Sequence, residues 1–282
     1  MDIHSPATDT CSLQALLIGS FISLIFYGIS CVQTFFYLQT YPDDHILFKC
    51  LIMIIWVLES AHSGFMISFN NHYLINRFGD FQALEIISWD FVVDLNIGFI
   101  LVLIVNSFFI WRVWVFSRKV WVVCLLAFLE IARYVLSTTP TSLVFHVDVT
   151  WKSFKDHAYV PLAVSMGVAT LGDILIASIL AYYLHCKCTQ CNRQLITQIL
   201  AYVVGTGALT SAFSIIKLIS ILASPNTLLY VSFKLIQVKI YANSVLFSFN
   251  LRQYQRKQSG MFPLGVSNIK PDDGKAFITP IY

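Results

Sequence analysis

Seven stretches of mostly apolar residues, each about as long as a helix must be to cross the ~30 Å hydrocarbon core of a bilayer, divide this chain. They are Leu13–Leu38, Ile46–Phe69, Asp90–Trp111, Val120–Thr139, Ala158–Leu184, Leu195–Leu222 and Leu228–Leu251. The breaks between them carry turn chemistry: Tyr41-Pro42-Asp43-Asp44, Asn70-Asn71-His72, Arg118-Lys119, Pro140, Cys186 to Arg193, and Ser224-Pro225-Asn226. Only 12% of the 282 residues are charged and 57% are hydrophobic, against roughly 25% charged in a soluble domain. That balance excludes a water-soluble globule and a disordered chain, and a net charge of +3 excludes a nucleic-acid binder. The expected fold is all-α, a polytopic seven-transmembrane-helix bundle. Residues 1–12 form a short N-terminal segment, 13–252 the membrane domain and 253–282 a flexible tail. The connections at about 70–89 and 140–157 have room for short interfacial helices.

Lys and Arg counts orient the bundle. Lys49, Arg112, Arg118, Lys119, Lys187, Arg193, Arg252, Arg256, Lys257, Lys270 and Lys275 fall on one side; Arg77, Lys152 and Lys155 fall on the other. This bias predicts an N-terminus outside and a C-terminus in the cytoplasm. The first ten residues hold no Lys or Arg, so the first span is expected to be an uncleaved anchor. No particular membrane, plasma or secretory, is singled out.

Ionisable residues inside spans carry the functional information, because a charge at the bilayer centre costs about 2.5–3.5 kcal/mol on insertion scales and persists only when paired or facing the bundle interior. Glu59, Glu130, Asp173 and Lys239 fall near mid-span; Asp90, Asp94, Arg133, Lys217 and Lys234 fall in the outer half. With His62 and Asn243 they make the candidate intramembrane polar site. Glu130 and Arg133, three apart, are expected to pair on one helix. Asp90 and Asp94 share a face and are expected to meet a Lys of the sixth or seventh span. Polar stripes recur at helical spacing in the first span (Ser20, Ser23, Tyr27, Ser30, Thr34), the sixth (Thr206, Thr210, Ser214, Lys217) and the seventh (Ser232, Lys239, Asn243, Asn250). Such faces normally join helices through hydroxyl and amide hydrogen bonds. The outward concentration of charge adds a cavity opening on the non-cytoplasmic side.

Glu59 and His62 share a helical face, as a proton relay or a metal site needs, but two ligands do not hold a metal and a hydrogen-bonded packing pair is the better reading. Cys186, Cys188 and Cys191 follow the fifth span at the membrane edge, where acylation is expected ahead of zinc binding. Lys239 invites comparison with a retinal Schiff base, yet its own span offers no carboxylate counter-ion. No cofactor is expected. Phosphate-loop, dinucleotide and Gly-x-Ser-x-Gly patterns do not occur, and enzymatic activity is the least supported reading.

Several motifs resemble a family of seven-helix membrane proteins, common in basidiomycete fungi, that is known only as a domain of unknown function. They are Trp56-Val57-Leu58-Glu59-Ser60-Ala61-His62, Trp111-Arg112-Val113-Trp114, Gly172-Asp173-Ile174-Leu175-Ile176-Ala177, Thr206-Gly207-Ala208-Leu209-Thr210-Ser211, Lys239-Ile240-Tyr241-Ala242-Asn243-Ser244 and Phe249-Asn250-Leu251-Arg252. The resemblance implies fold and membrane location and leaves activity open. From topology and charge placement, the expectation is a receptor-like or sensor-like protein. Its partners are the bilayer, a small ligand and a cytoplasmic protein at residues 112–119 and 185–194. A small-solute or proton-coupled transporter and a purely structural membrane protein are the alternatives. A cytosol-dependent reporter fused after Ser259 should be active, and an N-terminal tag should be labelled on intact cells; the opposite pattern reverses the orientation.

Overall fold

The computed structural model describes residues 6–77, 86–144, 151–188, 193–224 and 227–260. These form seven α-helices: α1 Pro6–Thr40, α2 Ile46–Asn71, α3 Trp89–Ser117, α4 Val120–Val144, α5 Trp151–Cys188, α6 Arg193–Ala223 and α7 Leu229–Gly260. In lipid every backbone N–H and C=O must be satisfied within the segment, so long helices are the natural outcome of such apolar runs. Successive helices touch in chain order and α7 closes the ring against α1. α3 also contacts α5 and α7, which places it nearest the centre.

Local chemistry fixes the helix ends. Ser88 accepts the Phe91 N–H at 3.4 Å as the α3 N-cap. Tyr73 braces the same entry, its hydroxyl accepting from Ser88 N at 2.8 Å and donating to Ile86 O at 3.1 Å. At the other end of α3, Arg118 adopts φ 53° and donates its N–H to Trp114 O. A left-handed residue closes a helix by this bond, and the chain turns into α4 within Arg118 and Lys119.

Six helices are long and apolar enough to cross a membrane among the described residues. The remaining one, α7, carries Lys234, Gln237, Lys239 and Asn243 along its middle. The helices also outrun several expected breaks. α2 continues to Asn71 and then widens into one π-turn, His72–Asn76. α4 runs through position 140 to Val144, with the Thr138 and Thr139 hydroxyls bonding to the Tyr134 and Val135 carbonyls in the turn before it. Within a bundle, such hydroxyls help a helix tolerate proline. Residues 112–117 belong to α3, so the loop expected at 112–119 shrinks to its last two residues. Arg112 is correspondingly not a loop residue: it is buried and donates to Ser248 Oγ of α7 at 2.8 Å. Removing it from the orientation count leaves the bias in place. α7 continues past Leu251 to Gly260.

The distribution of side chains is that of a lipid-immersed bundle. Phe21, Ile25, Trp121, Phe128 and Ile131 are well exposed on the outside, while Glu59, Asp94 and Lys239 have no exposed surface. The polar stripes of α1 and α7 face each other: Ser23 Oγ donates to Leu235 O at 3.1 Å, Asn243 to Phe26 O at 3.0 Å and Asn250 to Gln33 O at 2.9 Å. They join helices, as polar glue does without water between the partners.

Small residues permit the closest approaches. A Cβ on Gly19 of α1 would lie 2.8 Å from Ser232 Cβ and 2.9 Å from its Cα, and one on Gly207 of α6 would lie 2.7 Å from Ala177 Cβ of α5. Gly172 has open space at the same position. Overpacking costs about 1–3 kcal/mol, so Gly19→Leu and Gly207→Leu should each lower the thermal midpoint of the purified protein, while Gly172→Ala should leave it unchanged or raise it. Equal midpoints for all three would contradict these helix contacts.

Candidate functional site

The buried ionisable groups sort into two clusters and a cavity. The first cluster joins α2, α3 and α7. Lys239 Nζ donates to Ser63 Oγ at 2.7 Å and to the Glu59 carbonyl at 2.9 Å, stands 3.9 Å from Glu59 Oε1, and lies 5.1 Å from the centre of the Tyr27 ring. Tyr27 and Ser60 share a hydrogen bond of 2.9 Å beside it. One turn further along α2, His62 Nδ1 is 3.5 Å from Asp94 Oδ1. Gly98 lets α3 approach that imidazole, because a Cβ there would be 3.2 Å from His62 Nε2. Among the described residues, the carboxylate oxygens of Glu59 and Asp94 accept no hydrogen bond. An unpaired buried acceptor is costly, so these two acids depend for charge compensation on the lysines of α7: Lys239 for Glu59, and Lys234 and Lys239 for Asp94.

The second cluster joins α4, α5, α6 and α7 around Asp173. Arg133 Nη1 lies 3.4 Å from Asp173 Oδ1 and 3.6 Å from Glu130 Oε2, and Asn106 of α3 donates to Glu130 Oε2 at 3.0 Å. The other Asp173 oxygen accepts from the hydroxyls of Ser214 and Tyr241. Gln237 extends the network: its Nε2 donates to Ser214 Oγ and its Oε1 accepts from Lys217 Nζ at 2.6 Å. The Arg133 guanidinium also stands 5.7 Å from the centre of the Tyr241 ring.

Above this cluster, toward the end of the bundle where α1 begins, a cavity holds about 720 Å³ of empty space, its mouth included. Arg133, Lys217 and Lys234 contribute its charge, and Ser137, Ser165 and Thr141 contribute hydroxyls. A smaller cavity of about 380 Å³ lies on the other side of Tyr241, against Asp173 and Asn106.

The expected local pair Glu130–Arg133 is present and Asp173 completes it as a triad. Two other pairings differ from expectation. His62 faces Asp94 of α3 instead of Glu59, because residues three apart on a helix still point to different neighbours, Glu59 toward α7 and His62 toward α3. Asp90 does not meet a Lys, its Oδ2 accepting from Ser68 Oγ at 2.8 Å, whereas Asp94 does feel the charges of Lys234 and Lys239 of α7. Asn243 belongs to the α1–α7 seam, bonded to Phe26 O and Lys239 O. Glu59, Asp173 and Lys239 do not form one midplane group; Asp173 is in the second cluster. Gln237 and Tyr241 were missed, although Lys234, Gln237 and Tyr241 follow steps of three and four on one face of α7. The Cys186 side chain is exposed; the Cys188 side chain and Cys191 lie outside what the structure describes. Among the described residues no three His, Cys, Asp or Glu side chains come together as a metal site would require.

An all-helical protein with several membrane-crossing helices is the class that this fold and its buried charges define. Residues 169–254, from α5 into α7, match a family of unknown function, DUF6534; Asp173, Lys217, Lys234, Lys239 and Tyr241 all fall within the matched stretch. No curated protein and no solved structure matches the chain.

Breaking a buried pair from one side costs about 3–5 kcal/mol. Lys239→Met should therefore sharply reduce the yield and thermal midpoint of the membrane-inserted protein, and adding Glu59→Gln to it should recover much of both. Wild-type behaviour of the single variant would mean that Lys239 reaches water.

Proposed function

We propose that this chain is a seven-span membrane protein of receptor-like or sensor-like character, its N-terminus on the non-cytoplasmic side and its cavity open to that side. The seventh span in this reading is α7, whose Lys239 is compensated by Glu59 and Ser63 of α2. The cavity carries the reading. Five helices meet around it, and its floor is a hydrogen-bonded network that ties α4, α5, α6 and α7 together.

The mechanism follows from α7. Lys234, Gln237 and Tyr241 line the cavity, while Lys239 on a different face of the same helix is bonded to α2. A helix moves as a unit, so a ligand that draws Lys234 or displaces Gln237 also bears on the Lys239–Glu59 contact. A ligand shifts a two-state bundle only by its differential affinity for the two states, and a contact made by a helix shared between both clusters supplies that difference. The cytoplasmic readout falls to the ends of α5 and α6 around residues 185–194 and to α7 beyond Arg252.

One observation favours a second reading, a proton-coupled transporter: the fully buried Glu59 and Asp94 carboxylates accept no hydrogen bond among the described residues, with Lys239 beside the first and His62 and the charge of Lys234 beside the second. Intramembrane acids of this kind are typical of proton pathways. Two measurements on the purified protein separate the readings. A receptor should show ligand-dependent thermal shifts against a metabolite panel with no flux in proteoliposomes. A transporter should show solute or proton flux that Glu59→Gln and Asp94→Asn abolish.

A further inference from the structure

The larger cavity is charged unevenly. Arg133, Lys217 and Lys234 all line it, and none of its lining residues is an acid. Arg133 is engaged by Glu130 and Asp173 beneath it, and Lys217 by the neutral Gln237 side chain. Lys234 has no carboxylate within ion-pair distance and no hydrogen bond among the described residues; its ammonium lies 3.3 Å from the centre of the Phe99 ring. Asp94, 3.5 Å from His62, is the acid whose charge acts on Lys234, without reaching it as an ion pair. Arg133 is matched by two carboxylates, while Lys217 and Lys234 have no carboxylate within ion-pair distance among the described residues and feel only the charges of Asp173 and Asp94 from further away; a poorly compensated charge in such a site is costly. The remaining wall is apolar, with Phe91, Leu95, Phe99, Leu162 and Met166 along it.

We propose that this cavity binds a lipophilic monoanion, a monocarboxylate whose charged group rests on Lys234 and Lys217 and whose apolar body lies along Phe91, Leu95, Phe99 and Leu162. This ligand class deepens the receptor reading and rests on the same cavity. A carboxylate there faces three basic side chains and no acid on the cavity wall, whereas a cation would meet three like charges. The apolar wall selects against small hydrated anions, because only an apolar body removes that wall from water. The Phe99 ring holds Lys234 in place by a cation–π contact before a ligand arrives.

The test uses the full chain in nanodiscs of zwitterionic lipid and measures binding by calorimetry. Decanoate and 3-phenylpropionate should bind at least tenfold more tightly than decanol and 3-phenylpropanol, their uncharged analogues, and than acetate. Lys234→Met should weaken acid binding at least tenfold, and Lys234→Arg should retain it within a few fold. Tighter decanoate binding assigns the natural ligand to membrane-derived acyl chains, and tighter phenylpropionate binding to water-borne aromatic acids; both uphold the site. Alcohols binding as tightly as acids, acetate binding as tightly as decanoate, or unchanged affinity in Lys234→Met would each overturn it. If Lys234→Met does not fold, the acid-against-alcohol comparison on the wild-type protein decides alone. Acid binding that leaves amide exchange at the Arg252 end of α7 unchanged would uphold the site while removing the receptor reading.

Discussion

Water cannot solvate a charge in the centre of this bundle, and that constraint organises everything else. Lys239, Glu59 and Asp94 have no exposed surface, so each must find compensation from another helix of the same chain. The helices that supply it are α2, α3 and α7, which are thereby fixed relative to one another. Apolar contacts alone do not select this arrangement, since lipid tails are as apolar as Leu side chains. Ion pairs and hydrogen bonds choose which faces of the helices turn inward; close contacts at Gly19 and Gly207 then set how near the backbones come.

Two clusters result, and they differ in kind. The Asp173 cluster is richly hydrogen-bonded: both carboxylate oxygens are engaged, and Gln237 links Lys217 to Ser214. A satisfied buried network is rigid and specifies one packing. The Glu59 and Asp94 carboxylates, by contrast, are compensated only by charge, without hydrogen bonds to their oxygens. Stability is not uniform across a structure, and the under-satisfied cluster is the one with more to gain from rearrangement. A bundle with a rigid half and a less satisfied half, joined through one helix, has the parts of a two-state device.

The sequence made the helices legible because the signal for a span is local: a run of apolar residues of sufficient length, ended by polar ones. Its errors were local as well. Pro140 and the Asn70-Asn71-His72 triplet are strong breakers in water, but in a bundle helix-end chemistry yields to neighbouring hydroxyls and to a π-turn. Pairing was far less legible. Glu130 and Arg133 are neighbours on one helix and were readable; Lys239 and Glu59 are 180 residues apart in the chain, and nothing in the periodicity of either helix says how far it is rotated about its axis. That rotation sends His62 to Asp94 and Glu59 to Lys239, although the two α2 residues are only three positions apart.

α7 shows why the least apolar helix is the most informative one. Its polar residues fall on separate faces: Asn243 and Asn250 against α1, Lys239 against α2, and Lys234, Gln237 and Tyr241 toward the cavity. Each polar group lowers the helix's own preference for lipid, and each is held by a different part of the bundle, Lys234 by no more than the Phe99 ring of α3. α7 is consequently stable in the membrane only as part of the assembled bundle. A helix held in place by polar contacts on several sides responds when any one of them changes. An apolar span would not, because sliding or turning it exchanges one set of dispersion contacts for another of similar strength. The same residues that weaken α7 as an isolated span therefore make it the element through which an event in the cavity reaches the rest of the bundle.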